Sequence, residues 1–152
     1  MGMFTYPGAP YVHATTPDQP IPSMGRTAVD WTIDATCLCN EGRYRLKEVS
    51  VQTEIIIHLR KRFDDLKQRS ITINQEHNHV GDYKEWLKTA KVEAEALEKK
   101  LQGNDYSSEI DCINAAKRAM GGMMTEGARI TTNQSWLNWD ANGKHTYYDK
   151  NN

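Results

Sequence analysis

The most regular alternation of apolar and polar positions lies in residues 43–69. Val49, Ile56 and Phe63 recur every seven residues, and a leucine follows three residues after each of the last two. This heptad seam is typical of a helix that packs against another helix, and it predicts a helix over the whole stretch. The β-branched residues in the same stretch favour extended structure, so a strand over residues 49–59 is the alternative.

Two further helices are predicted downstream. In residues 82–102 the apolar positions recur at alternating spacings of four and three, and Asp82 and Glu85 have the spacing of a capping box. A third helix is predicted over residues 107–120, with a serine cap at its start and two glycines at its end. The polar stretch INQEHNHVGDY, residues 73–83, is predicted to be the turn between the first two helices, because Asn, His and Gly tolerate turn geometry.

The two ends of the chain predict extended arms. All five prolines lie in residues 1–25, and each fixes one backbone dihedral and removes one hydrogen-bond donor. Residues 27–40 alternate imperfectly and allow one short strand, and the aromatic-rich C-terminal region allows a small hairpin. The predicted organisation is an extended arm at 1–42, a helical core at 43–124 and a polar, aromatic-containing arm at 125–152. The fold class is therefore mostly α, with two or three helices in a hairpin or bundle.

Composition and charge restrict the class of protein. The 152 residues fit one domain, and a net charge of -1 provides no overall field toward nucleic acid or an anionic membrane. Nucleic acid contact is not favoured, because the basic positions of residues 43–69 are interleaved with acids. No apolar run has the length of a membrane span. Three cysteines without a signal-peptide pattern predict a reduced, intracellular setting.

The candidate chemistry is sparse. His77 and His79 form an H-x-H pair and Cys37 and Cys39 form a C-x-C pair, and such side chains could ligate zinc. Neither pair has zinc-finger spacing, and no nucleophile motif or phosphate-binding loop is present. The sequence therefore predicts a protein that is not an enzyme and has no catalytic residue, cofactor or metal. The alternative is a small metal-dependent enzyme or nuclease that uses Glu76, His77 and His79.

The function favoured by the sequence is a structural subunit of a large multi-copy assembly. Aromatic residues outside the helices and arms too polar to fold alone indicate contacts with other protein subunits, including copies of the same chain. The predicted partner-binding residues lie on the arms and on the two helix seams: Phe4, Tyr6, Tyr11, Val49, Ile56, Leu59, Phe63, Leu66, Tyr83, Leu87, Leu97, Leu101, Trp136, Trp139 and Tyr147.

A short chain with extended arms, central helices and Asn/Thr-rich ends resembles the small accessory proteins of phage particles. This likeness is one of style and carries no diagnostic motif. It implies a neck, tail or genome-ejection component found in the virion or the host cytoplasm, and not secreted by a signal peptide. An accessory subunit of a cellular filament or organellar complex is the alternative within the same class.

Overall fold

The protein is a two-layer α/β molecule, in which two long helices cover one face of a mixed sheet. The computed structural model describes residues 1–14, 25–59 and 66–141, with 31% strand and 55% helix. The predicted mostly α hairpin or bundle is therefore wrong. The elements are β1 (Phe4–Thr5), β2 (Tyr11–Ala14), β3 (Gly25–Asn40), β4 (Arg43–Leu59), α1 (Leu66–Leu101), α2 (Glu109–Ser135) and one π-helical turn (Trp136–Asp140).

The stretch predicted as the first helix, 43–69, contains the longest strand of the sheet. Along β4, alternate side chains are buried beneath the helices, and the side chains between them lie on the opposite face. Val49, Val51, Ile55 and Ile57 are each at most 1% exposed. Burial with a period of two requires a strand, so the alternative over residues 49–59 is the correct assignment.

The sheet is built around β4. A tight turn at Glu41 and Gly42, both with positive φ, connects β3 to β4, and the two strands pair antiparallel along their full length. The short strands β1 and β2 pair parallel with β4. Because β3 occupies one edge of β4 throughout, β1 and β2 must occupy the other. Residues 1–14 of the predicted arm therefore lie against the chain's own sheet.

The helical layer also differs from the prediction. α1 begins at Leu66 and continues without a break through residues 73–83, so the predicted turn there is wrong. α2 begins at the Ser108 cap, as expected near residue 107, but it continues past Gly121 and Gly122 to Ser135. The helices run antiparallel, and their buried stripes meet the buried face of β3 and β4 in a shared core. No helix in the described ranges is long and apolar enough to cross a membrane.

The cysteines were expected to be reduced, but two of them are joined. Cys37 of β3 and Cys112 of α2 form a disulfide between residues 75 positions apart, while Cys39 is exposed and free. The bond connects the sheet to the helical layer beside the core, because Cys112 is fully buried and Cys37 is 9% exposed.

The continuity of α2 can be tested with two glycine variants. A Cβ at Gly122 would meet no atom within 4 Å, whereas a Cβ at Gly127 would lie 2.5 Å from Trp86 Nε1. We expect Gly122→Ala to raise the free energy of unfolding by about 0.5–1 kcal/mol, because Ala is the better helix former. Gly127→Ala should lower it by about 1–3 kcal/mol through overpacking. Urea unfolding measures both, and a destabilised Gly122→Ala variant would contradict the continuous helix.

Reduction of the disulfide should destabilise the protein. The closed loop is about as long as the 75-residue separation, and loop-closure entropy predicts a loss of about 4 kcal/mol on reduction. Urea unfolding with and without a phosphine reductant measures the difference. The Cys39→Ser variant is the control, because it should behave like the wild type in both conditions. Equal stability of oxidised and reduced protein would argue against the Cys37–Cys112 bond.

Candidate functional site

A buried polar cluster lies where α1 meets the beginning of β3 and the end of α2. Glu76, which is 8% exposed, accepts a hydrogen bond of 2.6 Å from Thr27 Oγ1. His79 Nδ1 lies 2.6 Å from Ser135 Oγ, and this hydroxyl donates to Asp82 Oδ2 over 2.6 Å. Successive spacings of three residues place the three ionisable side chains along one side of α1.

The π-helical turn completes the cluster. Trp139 Nε1 donates to Asp82 Oδ2 over 3.0 Å, and Asp140 Oδ1 lies 3.4 Å from His79 Nε2. Tyr83 lies one turn after His79 on α1. Burial raises the pKa of its phenol, although the hydrogen bond to Thr132 opposes the shift. Glu76, His79, Tyr83 and Asp140 border a cleft of about 270 Å³. The cluster joins the end of α2 to α1 through side-chain hydrogen bonds.

The cluster contains the residue types of a hydrolytic triad without a usable nucleophile. Ser135 is 1% exposed, and its hydroxyl is committed to Asp82 while His79 bonds to its oxygen. A nucleophile must reach its substrate, and this oxygen is enclosed. The arrangement therefore favours a structural role for the cluster.

The metal site predicted as the alternative does not assemble around its named residues. Glu76 and His79 are buried and point toward β3 and α2, whereas His77 is exposed on another side of α1. Consecutive helical positions differ by about 100°, so these three side chains do not converge. Across the described ranges, no group of three or more His, Cys, Asp or Glu side chains is placed to hold a metal ion.

The predicted partner-binding residues divide into buried and exposed sets. Those in the chain's own core are Val49, Leu59, Tyr83, Leu87 and Leu101. Those partly buried are Phe4, Ile56, Leu97 and Trp139. Those exposed are Tyr6, Tyr11, Leu66 and Trp136. Phe63 and Tyr147 lie outside the described residues. The buried set packs within one chain, so these side chains already have the contacts that were expected from neighbouring subunits.

One edge of the sheet is closed by the chain itself. Gly2 N donates to Val49 O over 3.1 Å, and Val51 N donates to Met3 O over 2.7 Å. Further along this edge β4 pairs with β2, and near the hairpin turn Tyr44 pairs with Tyr106. The odd-numbered residues around position 50 of β4 therefore direct their backbone groups away from β3. Its even-numbered residues there bond to β3, since backbone groups alternate between the two sides of a strand.

Within the part of the chain that the structure describes, the other edge of the sheet is open. As far as Thr36, even-numbered β3 residues lie opposite even-numbered β4 residues, as in Asp30–Glu54 and Thr32–Gln52, and therefore bond to β4. From Thr27 onward, the odd-numbered residues of β3 direct their N–H and C=O groups outward, where no strand of the described ranges pairs with them. The 16 residues of β3 extend for roughly 53 Å at about 3.3 Å per residue. We call this row of outward groups the open edge; its central residues are Thr27, Val29, Trp31, Ile33 and Ala35.

The same odd-numbered residues carry an incompletely buried apolar row. Their side chains point toward the helices, but Val29, Trp31, Ile33 and Ala35 are only half-buried there. A strand added to the open edge would gain backbone hydrogen bonds and would cover this row at the same time. Both gains are typical of a surface that accepts another strand.

The face of the sheet away from the helices is polar and mostly acidic near its centre. Asp30 and Glu54 lie directly opposite each other, a like-charged pair that weakens the sheet locally. At the end nearer β2, the Tyr11 ring stacks on His13 with centroids 6.3 Å apart, and His13 meets His58 edge to face at 5.9 Å. Burial, and then the nearby arginine, lower the pKa of the His58 imidazole.

Comparison with known proteins adds no functional assignment. The chain matches no family model, no curated protein and no solved structure. Function is therefore argued from the geometry. The sequence analysis missed the open edge because it assigned residues 43–69 to a helix and left β3 without its partner. The alternation in residues 27–40 was the available signal, and it does correspond to β3.

The structural role of the polar cluster predicts the effect of Ser135→Ala. The substitution removes the hydroxyl shared by His79 and Asp82 and leaves polar atoms of both without that partner. We expect the free energy of unfolding to fall by about 1–3 kcal/mol. Ser107→Ala is the matched control, since Ser107 is exposed, and it should change stability by less than about 0.5 kcal/mol. Urea unfolding of the wild type and the two variants tests this role. Equal stability of Ser135→Ala and the wild type would exclude it.

Proposed function

We propose that this protein is a non-catalytic structural subunit that joins other copies of itself by adding strands at the open edge of β3. The observation that supports the proposal is the unpaired edge, which combines outward backbone groups with a half-buried apolar row. The narrower assignment to a phage or virus particle stays a prediction from the style of the sequence.

The two edges of the sheet differ in whether other parts of the described chain pair with them. The β4 edge is covered by β1, β2 and Tyr106. Proteins that must stay monomeric usually protect an exposed edge with Pro, Lys or a bulge, because unpaired strands associate. β3 contains neither Pro nor Lys, and the one register shift in the hairpin places its extra residue, Lys47, in β4. The charged side chains of β3, Arg26, Asp30 and Asp34, lie on the polar face of the sheet. Within the described ranges, a long edge with neither Pro, Lys nor a bulge supports a role in association.

The size of the edge matches what association requires. Two proteins lose an estimated 4–15 kcal/mol of translational and rotational freedom on binding. Roughly ten backbone hydrogen bonds, each worth about 0.5–1.5 kcal/mol net, are of the same order. Burial of the Trp31 side chain adds to them. A contact of two or three residues would not suffice, so the proposal requires pairing along most of β3.

A proline in the edge should prevent association. Ala35 directs its N–H outward, so Ala35→Pro removes an edge donor and leaves the β3–β4 ladder intact. We expect the mass of the wild-type protein in solution to exceed the monomer mass of 17.4 kDa. The dissociation constant should rise at least about tenfold in Ala35→Pro, which corresponds to 1.4 kcal/mol.

Analytical ultracentrifugation over a range of concentrations measures these masses, and circular dichroism with urea unfolding checks that each variant folds. Ala35→Val is the matched control, because it keeps the N–H and should associate like the wild type. A wild-type chain that remains monomeric, or a folded Ala35→Pro variant that associates unchanged, would overturn the proposed function.

A further inference from the structure

We infer that two copies of the chain pair their β3 strands antiparallel about a two-fold axis that passes beside Trp31. This inference rests on the proposed function and adds the geometry of the contact. Most homo-oligomers form closed symmetric contacts, in which the same surface patch of both copies meets. When the patch is a single strand, the symmetric arrangement that closes is the antiparallel one.

The charges on β3 exclude several registers. Its acidic side chains at positions 30 and 34 both lie on the polar face of the sheet. An axis beside Asp30 would place Asp30 opposite its own copy. An axis beside Thr32 would place Asp30 of one copy opposite Asp34 of the other. Like charges directly opposite each other destabilise a strand pair. An axis at Val29 or earlier would pair at most nine residues of β3, since the strand begins at Gly25.

The apolar row distinguishes the remaining registers. An axis beside Trp31 pairs Trp31 with its own copy and Val29 with Ile33, twice by symmetry. An axis beside Ile33 pairs Ile33 with its own copy, but Trp31 with the small Ala35 and Val29 with Cys37, which is already held in the disulfide. An axis beside Ala35 pairs Trp31 with Cys39 and leaves Val29 without an opposite residue, since β3 ends at Asn40. Aromatic and β-branched cross-strand pairs stabilise a sheet by about 0.2–1 kcal/mol each. The Trp31 register therefore buries the larger side chains against one another.

This register pairs residues 26–36 of both copies and joins the two sheets into one. The axis stands perpendicular to the sheet, so both helical layers lie on the same face, and the polar faces form one continuous surface. Each copy contributes β3, β4 and the β1/β2 edge, and the joined sheet is therefore six strands wide. Because a two-fold contact is complete with two copies, a larger assembly requires a second surface.

The acidic residues give this contact a characteristic salt dependence. In the Trp31 register Asp30 lies opposite Thr32, but the carboxylates of the two copies remain diagonal neighbours about 7–8 Å apart. Salt screens repulsion at this distance, since the Debye length is about 10 Å at 0.1 M. Dimerisation should therefore strengthen as salt rises from about 0.02 to 0.5 M.

Cysteine trapping tests the register. Asp30 and Thr32 are exposed, and in the Trp31 register they form a non-hydrogen-bonded pair with Cα atoms about 4.5 Å apart, within the range that a disulfide bridges. Asp30→Cys and Thr32→Cys are made separately in a Cys39→Ser background, which leaves the introduced thiol as the free one. Each variant is oxidised mildly alone, and an equal mixture of the two variants is oxidised in the same way. We expect cross-linked dimers in the mixture and none from either variant alone.

The outcomes separate this inference from the proposed function. Cross-linking of Thr32→Cys alone or Asp30→Cys alone would place the axis beside that residue and overturn the Trp31 register. Association that remains sensitive to Ala35→Pro, with no cross-link in the mixture, would also overturn the register and leave the proposed function in place. A chain that does not associate at all would overturn both.

Discussion

The structure depends on burial of one face of β4. Its alternate side chains from Val49 to Leu59 are almost completely enclosed by α1 and α2, and each must also sit beside a neighbour on β3. A large buried aliphatic side chain contributes about 1.5–3 kcal/mol, so this single row supplies a major part of the apolar driving force. The helices lie on that face because it is the apolar one. The acidic side chains of Glu48 and Glu54 require the other face to remain in water.

Local periodicity alone could not assign residues 43–69. Val49 and Ile56 are seven residues apart and lie on one side of a helix, but an odd spacing places them on opposite faces of a strand. The structure buries Val49 and leaves Ile56 on the polar face. The strand signal was present, since apolar and polar side chains alternate from Glu48 onward with Ile56 as the main exception. The deciding information was the pairing of this segment with β3, because a helix at residues 43–69 would leave β3 without a neighbouring strand.

The polar stretch at residues 73–83 illustrates the opposite limit. Its composition favours a turn, yet the residues are helical because distant groups satisfy their side chains. Thr27 on β3 bonds to Glu76, and Ser135 at the end of α2 lies between His79 and Asp82. Buried polar groups are tolerated when they are hydrogen-bonded. A sequence cannot show that a threonine 49 residues away will supply the bond, so tertiary contacts overrode the local preference.

The way the chain closes its sheet suggests what the remaining edge is for. The N-terminal segment runs along β4 in two short strands, and Tyr106 from the loop between the helices extends the same closure toward the hairpin turn. This arrangement removes one edge with residues that form little other structure. On β3, Trp31 and Ile33 are half-buried, and no strand of the described ranges pairs with the backbone groups beside them. Another strand at such an edge would cover the apolar side chains and bond to the backbone groups. A second β3 in antiparallel orientation presents the same groups. These features support the proposed association at this edge.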